Sequence, residues 1–232
     1  MGLPNLYTTD IPARCGDLIE TLFDQIASSP NAVRYWGGPL TTTFLLAMAT
    51  PAIVLPVERI FMPALEGARA VAGEHEIAPA LVELVNSALG SGKRFADAPF
   101  RGNGVWHFVP AIDWFPVAKH WEDHVLDQLS DAHAAEAANS ADAATILMTI
   151  RNALAHGAVN YLDGAGRQQG PSAEMYVFVS PGEKIKPRPL RLLRIDEAAF
   201  RQFVKDWVSW LRDVHVSDTL SIMGPAFQPE SL

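Results

Sequence analysis

At 232 residues, with 49% hydrophobic and 19% charged side chains, the chain has the length of one large domain and the apolar content for a sizeable core. A net charge of −8, from 18 basic and 26 acidic residues, excludes a protein that coats nucleic acid by bulk charge. The single cysteine, Cys15, excludes an internal disulfide framework and a Cys-based zinc site.

The first residues, "MGLPNLYTTDIP", lack the basic and apolar regions of a signal peptide. Leu6 stands where a myristoylation pattern needs Ser or Thr. The single cysteine, consistent with a reducing compartment, leads to the expectation of a cytosolic protein. From Ile11 to Ser28, residues Ile11, Cys15, Leu18, Ile19, Leu22, Phe23 and Ile26 fall on one broad helical stripe. The apolar run from Phe44 to Val57 is too short to span a bilayer and carries Pro51 and Pro56. It predicts a buried helix broken or kinked near Thr50, restarting toward Phe61, and no membrane association. Ile77 to Leu89 has helical spacing, residues 90–114 read as a long loop, and Phe115 to Leu129 reads as a helix. Residues 131–139 fit helix or linker.

Ser140 to Gly157 reads as one helix. After Gly157 the period changes: "AVNYL", "EMYVFVS" and "PLRLLRI" are β-prone runs separated by Gly- and Pro-rich stretches, a two- or three-stranded meander. Asp196 then caps a last helix with Phe200, Phe203, Val204, Trp207, Val208 and Leu211 on its apolar face, followed from Asp213 by an extended tail. The expected architecture is a single domain over 1–232, mainly α. Core helices occupy about 11–157, a small β-meander about 158–195 is inserted before the last helix, and that helix spans about 196–213.

The chemistry concentrates in "RNALAH", the end of the 140–157 helix. Ala143, Leu147, Ile150 and Leu154 share one face; Thr145, Thr149, Asn152 and His156 share the roughly opposite one. Asn152 and His156 are neighbours four residues apart, and the amide can fix the imidazole's tautomer. Arg151 and His156 stand about 140° apart on an ideal helix. To act on one target they need a distorted helix end or a second copy of the chain. Arg offers bidentate donors to a phosphodiester, and His moves a proton near neutral pH. Together they suit transesterification of RNA, in which the ribose 2′-OH is the nucleophile and neither metal nor cofactor is required.

Charge is uneven along the chain. Residues 1–150 hold 8 basic and 17 acidic side chains, 151–205 hold 9 and 5, and 206–232 hold 1 and 4. The basic block starts at Arg151 and includes Lys184, Lys186, Arg188, Arg191 and Arg194. Such a block is ordinarily a solvated ribbon; Lys184, Lys186 and Arg188 are its candidate substrate-binding residues.

"RNALAH" resembles the Arg-polar-x3-His motif of the HEPN superfamily, with Arg151, Asn152 and His156 on the motif positions, and "FLLAMATPAIVLPVERIF" is similar to an early helical segment of bacterial members. The resemblance implies a helical bundle that dimerises so that two motifs form one cleft. It implies a metal-independent endoribonuclease of the kind found in toxin–antitoxin, abortive-infection and antiphage systems, with RNA as substrate and an antitoxin or regulatory protein as a further partner. By that analogy Arg151 holds phosphate, His156 transfers a proton and Asn152 orients either. Other members keep the fold and only bind nucleotides or assemble complexes, which is the alternative expectation here.

Three further motifs carry less. "HWEDH" sets His120 and His124 four apart, but Trp121 stands where a zinc-protease helix needs Glu. "GSGKR" lacks the first Gly and the final Ser or Thr of a phosphate loop. Trp106, Trp114 and Trp121 fit core packing better than a base-stacking platform.

Overall fold

The structure, a computed structural model, describes residues 7–30, 32, 34, 38–63, 79–168, 173–182 and 188–223, with residues 80 and 214–223 by backbone alone. Its helices are α1 (Tyr7–Ala27), α2 (Thr41–Pro56), α3 (Pro79–Leu89), α4 (Asp123–Ser130), α5 (Ala132–Ser140), α6 (Ala143–His156) and α7 (Glu197–Met223). Its strands are β1 (His107–Ile112), β2 (Val159–Leu162), β3 (Met175–Pro181) and β4 (Leu190–Asp196). They form one antiparallel sheet in the order β1-β4-β3-β2.

The period of two along β3 and β4 divides the apolar residues between two cores. Tyr176, Phe178, Leu193 and Ile195 face the larger one, shared with α1, α2, α3, α6 and α7. Val177, Val179 and Leu192 face the smaller one, closed by Trp121 and by Val125, Leu126 and Leu129 of α4. The larger core runs from Cys15 to Leu211 and binds the early helices to the last. Gly16 of α1 lets α7 approach: a Cβ there would stand 3.0 Å from a methyl of Val208. Asp196 caps α7 by accepting a 2.7 Å hydrogen bond from the Ala199 amide.

The expectation of a mainly α bundle with an inserted meander is corrected to a mixed α and β fold. The meander of β2, β3 and β4 gains a fourth strand, β1, from the stretch read as loop, so the sheet draws on chain both before and after α6. The Phe115–Leu129 helix is shortened to begin at Asp123, because Phe115 and Trp121 pack edge to face, 5.1 Å apart, beneath an irregular segment. The tail expected to be extended from Asp213 continues as helix to Met223.

The break near Thr50 does not occur: α2 runs through Pro51 to Pro56 and continues as a π-helical turn, Val57–Phe61. Pro56 has no N–H to give the carbonyl of Ala52, four residues earlier. The buried indole of Trp207 donates to that carbonyl instead, at 2.8 Å. Thr41–Phe61 is long and apolar enough to cross a membrane by composition, but its Leu45, Ala49, Ala52, Ile53, Val57 and Ile60 are fully buried in the larger core. That packing is compatible with a soluble protein.

Candidate functional site

Helix α6 lies between α2 and the sheet. Ala143, Leu147, Ile150 and Leu154 are buried as the apolar stripe requires. The polar stripe is only partly exposed, because α6 is packed on two sides: Thr149 is fully buried and returns its hydroxyl to the Thr145 carbonyl at 2.8 Å. The helix stays regular to His156 and ends at Gly157, whose φ of 65° places it in the left-handed region natural to glycine.

Arg151 lies in a fixed polar chain. Its guanidinium forms an ion pair with Glu58, carried on the π-helical turn. Its Nη1 donates to the Asn152 side-chain oxygen at 2.5 Å, and the Asn152 amide nitrogen donates to Ser180 Oγ at 3.1 Å. Ser180 faces α6 because it shares the alternation of Tyr176 and Phe178, and it is buried. Arg191 stands opposite Ser180 in the β3–β4 register and shares its face. Burial lowers the Arg151 pKa from its ordinary value, an effect of partial desolvation of the cation. Asn152 is thus spent on Arg151 and Ser180 rather than on the His156 imidazole.

His156 is exposed and belongs to a different surface. It lines a groove of about 640 Å³ together with Lys119, His120, Asn160, Tyr161 and Gln168. A regular helix end keeps Arg151 and His156 on separate sides, as the 140° offset requires. Of the two ways to unite them, distortion of the helix is not used.

The remaining basic block is dispersed. Lys184 and Lys186 lie outside the described residues. Arg188 donates to the Gly182 carbonyl at 3.1 Å, across the base of the β3–β4 connection. Arg194 is buried on the sheet's other face and donates to Ser130 Oγ at 2.9 Å. Its pKa is lowered by burial. His120 precedes α4, so His120 and His124 share no helical face; His124 instead lies 3.3 Å from Glu122. Among the described residues no group of three His, Cys, Asp or Glu side chains is gathered as metal ligands would be. Trp106 and Trp121 are core residues, whereas Trp114 is 65% exposed.

Sequence reasoning missed Glu58, Ser180 and the Lys119–His120 pair as companions of the motif. Glu58 and Arg59 interrupt an otherwise apolar run, and Ser180 ends the continuous apolar run of β3. Each interruption was a signal. No family model, curated protein or solved structure matches the chain.

Proposed function

We propose that the chain is an endoribonuclease that cleaves RNA without a metal ion, through attack of the ribose 2′-OH on the adjacent phosphate, acting in the cytosol. The observation that carries this reading is the fixed chain Glu58–Arg151–Asn152–Ser180 on the same helix end as an exposed His156. A guanidinium already oriented by its neighbours loses little entropy on gripping a phosphodiester, and an exposed imidazole is open to a substrate proton. Arg151 holds phosphate, Asn152 orients Arg151, and His156 transfers a proton. Since α6 holds Arg151 and His156 apart, the reading includes a homodimer in which one copy's Arg151 and the other's His156 meet one RNA. A role in toxin–antitoxin or antiphage systems, with an antitoxin or regulatory protein as partner, is part of the same proposal.

The test is RNA cleavage in EDTA by wild type, Arg151→Ala and His156→Ala, with product ends analysed. Cleavage by wild type alone, leaving 2′,3′-cyclic phosphate, supports the proposal; equal cleavage by all three proteins defeats it. The ion pair with Glu58 also favours a second reading, a module that binds nucleotides without cleaving them, because it balances the charge of Arg151 from within the chain. That reading expects nucleotide-dependent thermal stabilisation of a protein that leaves a broad RNA panel intact.

A further inference from the structure

The groove beside His156 differs in charge from the rest of the molecule. The chain carries 26 acidic side chains, yet no Asp or Glu is among the groove's described lining residues. Its titratable side chains are Lys119, His120, His156 and Tyr161. Among the described residues, no hydrogen bond or ion pair occupies the side chains of Lys119, His120 or His156. Two imidazoles and an ammonium therefore line one open volume whose own described lining holds no carboxylate, while Asp113 and Glu122 line the neighbouring cavity that Lys119 and His120 also border; the balance within the groove favours an anion.

The Lys119–His120 pair is also held in place. It sits on an irregular segment between two anchored points. On one side, the Val117 carbonyl accepts from the Trp121 indole at 2.9 Å and from the Asn160 amide at 3.3 Å. On the other, the Trp121 backbone N–H donates to the Gln168 side-chain oxygen at 2.6 Å, and the Trp121 ring is buried in the smaller core. The Lys119 amide closes a turn onto the Pro116 carbonyl at 3.0 Å. Asn160 and Gln168, which supply these anchors, are themselves groove residues. The segment is thus tied to β2 and to the residues after it, the same wall that follows His156. A catalytic group gains from such support, because positioning is settled before the substrate arrives.

We propose that this groove receives a phosphodiester of single-stranded RNA, with His120 as a second proton-transfer residue facing His156 and Lys119 facing the phosphate charge. The inference rests on the ribonuclease reading and deepens it: one chain supplies both proton-transfer groups. One imidazole, neutral, takes the proton of the 2′-OH as O2′ forms its bond to phosphorus. The other, protonated, gives its proton to the 5′-oxygen as the P–O5′ bond breaks and that oxygen leaves with the bonding electron pair. The products are a 2′,3′-cyclic phosphate and a 5′-hydroxyl. One proton has passed to one imidazole and one has left the other, so no oxidant, metal or co-reactant is consumed.

The experiment has two arms on the full chain. In the first, an uncleavable 2′-O-methyl RNA pentanucleotide is titrated while the histidine C2-proton NMR signals are followed. The His120 and His156 signals should move with one isotherm, and Lys119→Ala should weaken binding roughly tenfold. Movement of His156 without His120 would overturn the proposal. In the second, cleavage in EDTA is measured across pH for wild type, His120→Ala and His156→Ala, their folding checked by urea denaturation. His120→Ala should lose at least about a hundredfold in kcat and one limb of the pH profile, in the range expected of a general acid or base. Should His120→Ala cleave like wild type while His156→Ala is inactive, this inference fails and the ribonuclease reading stands. Absence of cleavage by wild type defeats both.

Discussion

Replacing Trp207 by Phe keeps an aromatic ring in the core but removes the N–H that serves the Ala52 carbonyl. That carbonyl has lost its helical donor to Pro56, and the next amide, Val57, bonds Ile53 and Val54 instead. Leaving a buried carbonyl unpaired costs about 1–3 kcal/mol. The smaller ring leaves a void of roughly 40 Å³, which adds about 1 kcal/mol at about 24 cal/mol per Å³. The single substitution should therefore destabilise by about 2–4 kcal/mol in urea denaturation. A double-mutant cycle separates the two contributions. Pro56→Ala restores a backbone donor in α2, so in that background Trp207→Phe should cost only the cavity, leaving a coupling of about 1–3 kcal/mol. Equal losses in both backgrounds would refute the view that the indole substitutes for the amide missing at Pro56. The outcome matters for the site, since the π-helical turn carrying Glu58 begins directly after Pro56.

Two further predictions concern stability. Gly157→Ala places a Cβ where φ is 65° and nothing lies within 4 Å, so the cost is backbone strain alone, about 1 kcal/mol; a calorimetric loss above about 3 kcal/mol would mean that the residue has a packing role. His107 has its pKa lowered to about 4, first by burial and then by the charge of Arg194, its partner in the β1–β4 register. The unfolded chain, with a His pKa of about 6.5, binds this proton first. Stability from this group is therefore complete above about pH 6.5 and falls as pH drops toward 4. His107→Gln should flatten that part of a urea-midpoint profile, and an NMR titration midpoint for His107 near 6.5 would contradict the reasoning.

Where a segment's order is set locally, the sequence was legible. The strands β2, β3 and β4, the helix α6 with its Gly157 terminus, and the Asp196 cap all follow from period and capping chemistry within a few residues. The errors arise where a distant group decides. The passage of α2 through its prolines depends on an indole 155 residues away. Strand β1 contains Pro110, which reads as a breaker, yet β1 is an edge strand with an irregular register between Val109 and Ile112, where proline is tolerated. The Phe115–Leu129 periodicity ran together two anchors outside any helix, Phe115 and Trp121, with the apolar face of α4, because all of them pack in or against the smaller core. For the site, "RNALAH" displayed Arg151, Asn152 and His156, and helical geometry separated Arg151 from His156. What each side chain touches was hidden, because Glu58, Ser180 and His120 come from three other parts of the chain.

The Ala52–Trp207 hydrogen bond also bears on the order in which this protein is made. When the ribosome has synthesised α2, the carbonyl of Ala52 has no protein partner, and it keeps none until α7 emerges some 155 residues later. Phe61 and Phe100 wait for the same helix, since both rings pack on Trp207. The nascent chain therefore cannot complete its larger core, or fix the turn that holds Glu58 against Arg151, while α7 is still inside the exit tunnel. Maturation of the motif is tied to release of the last helix, so a partly translated chain would carry an incomplete site.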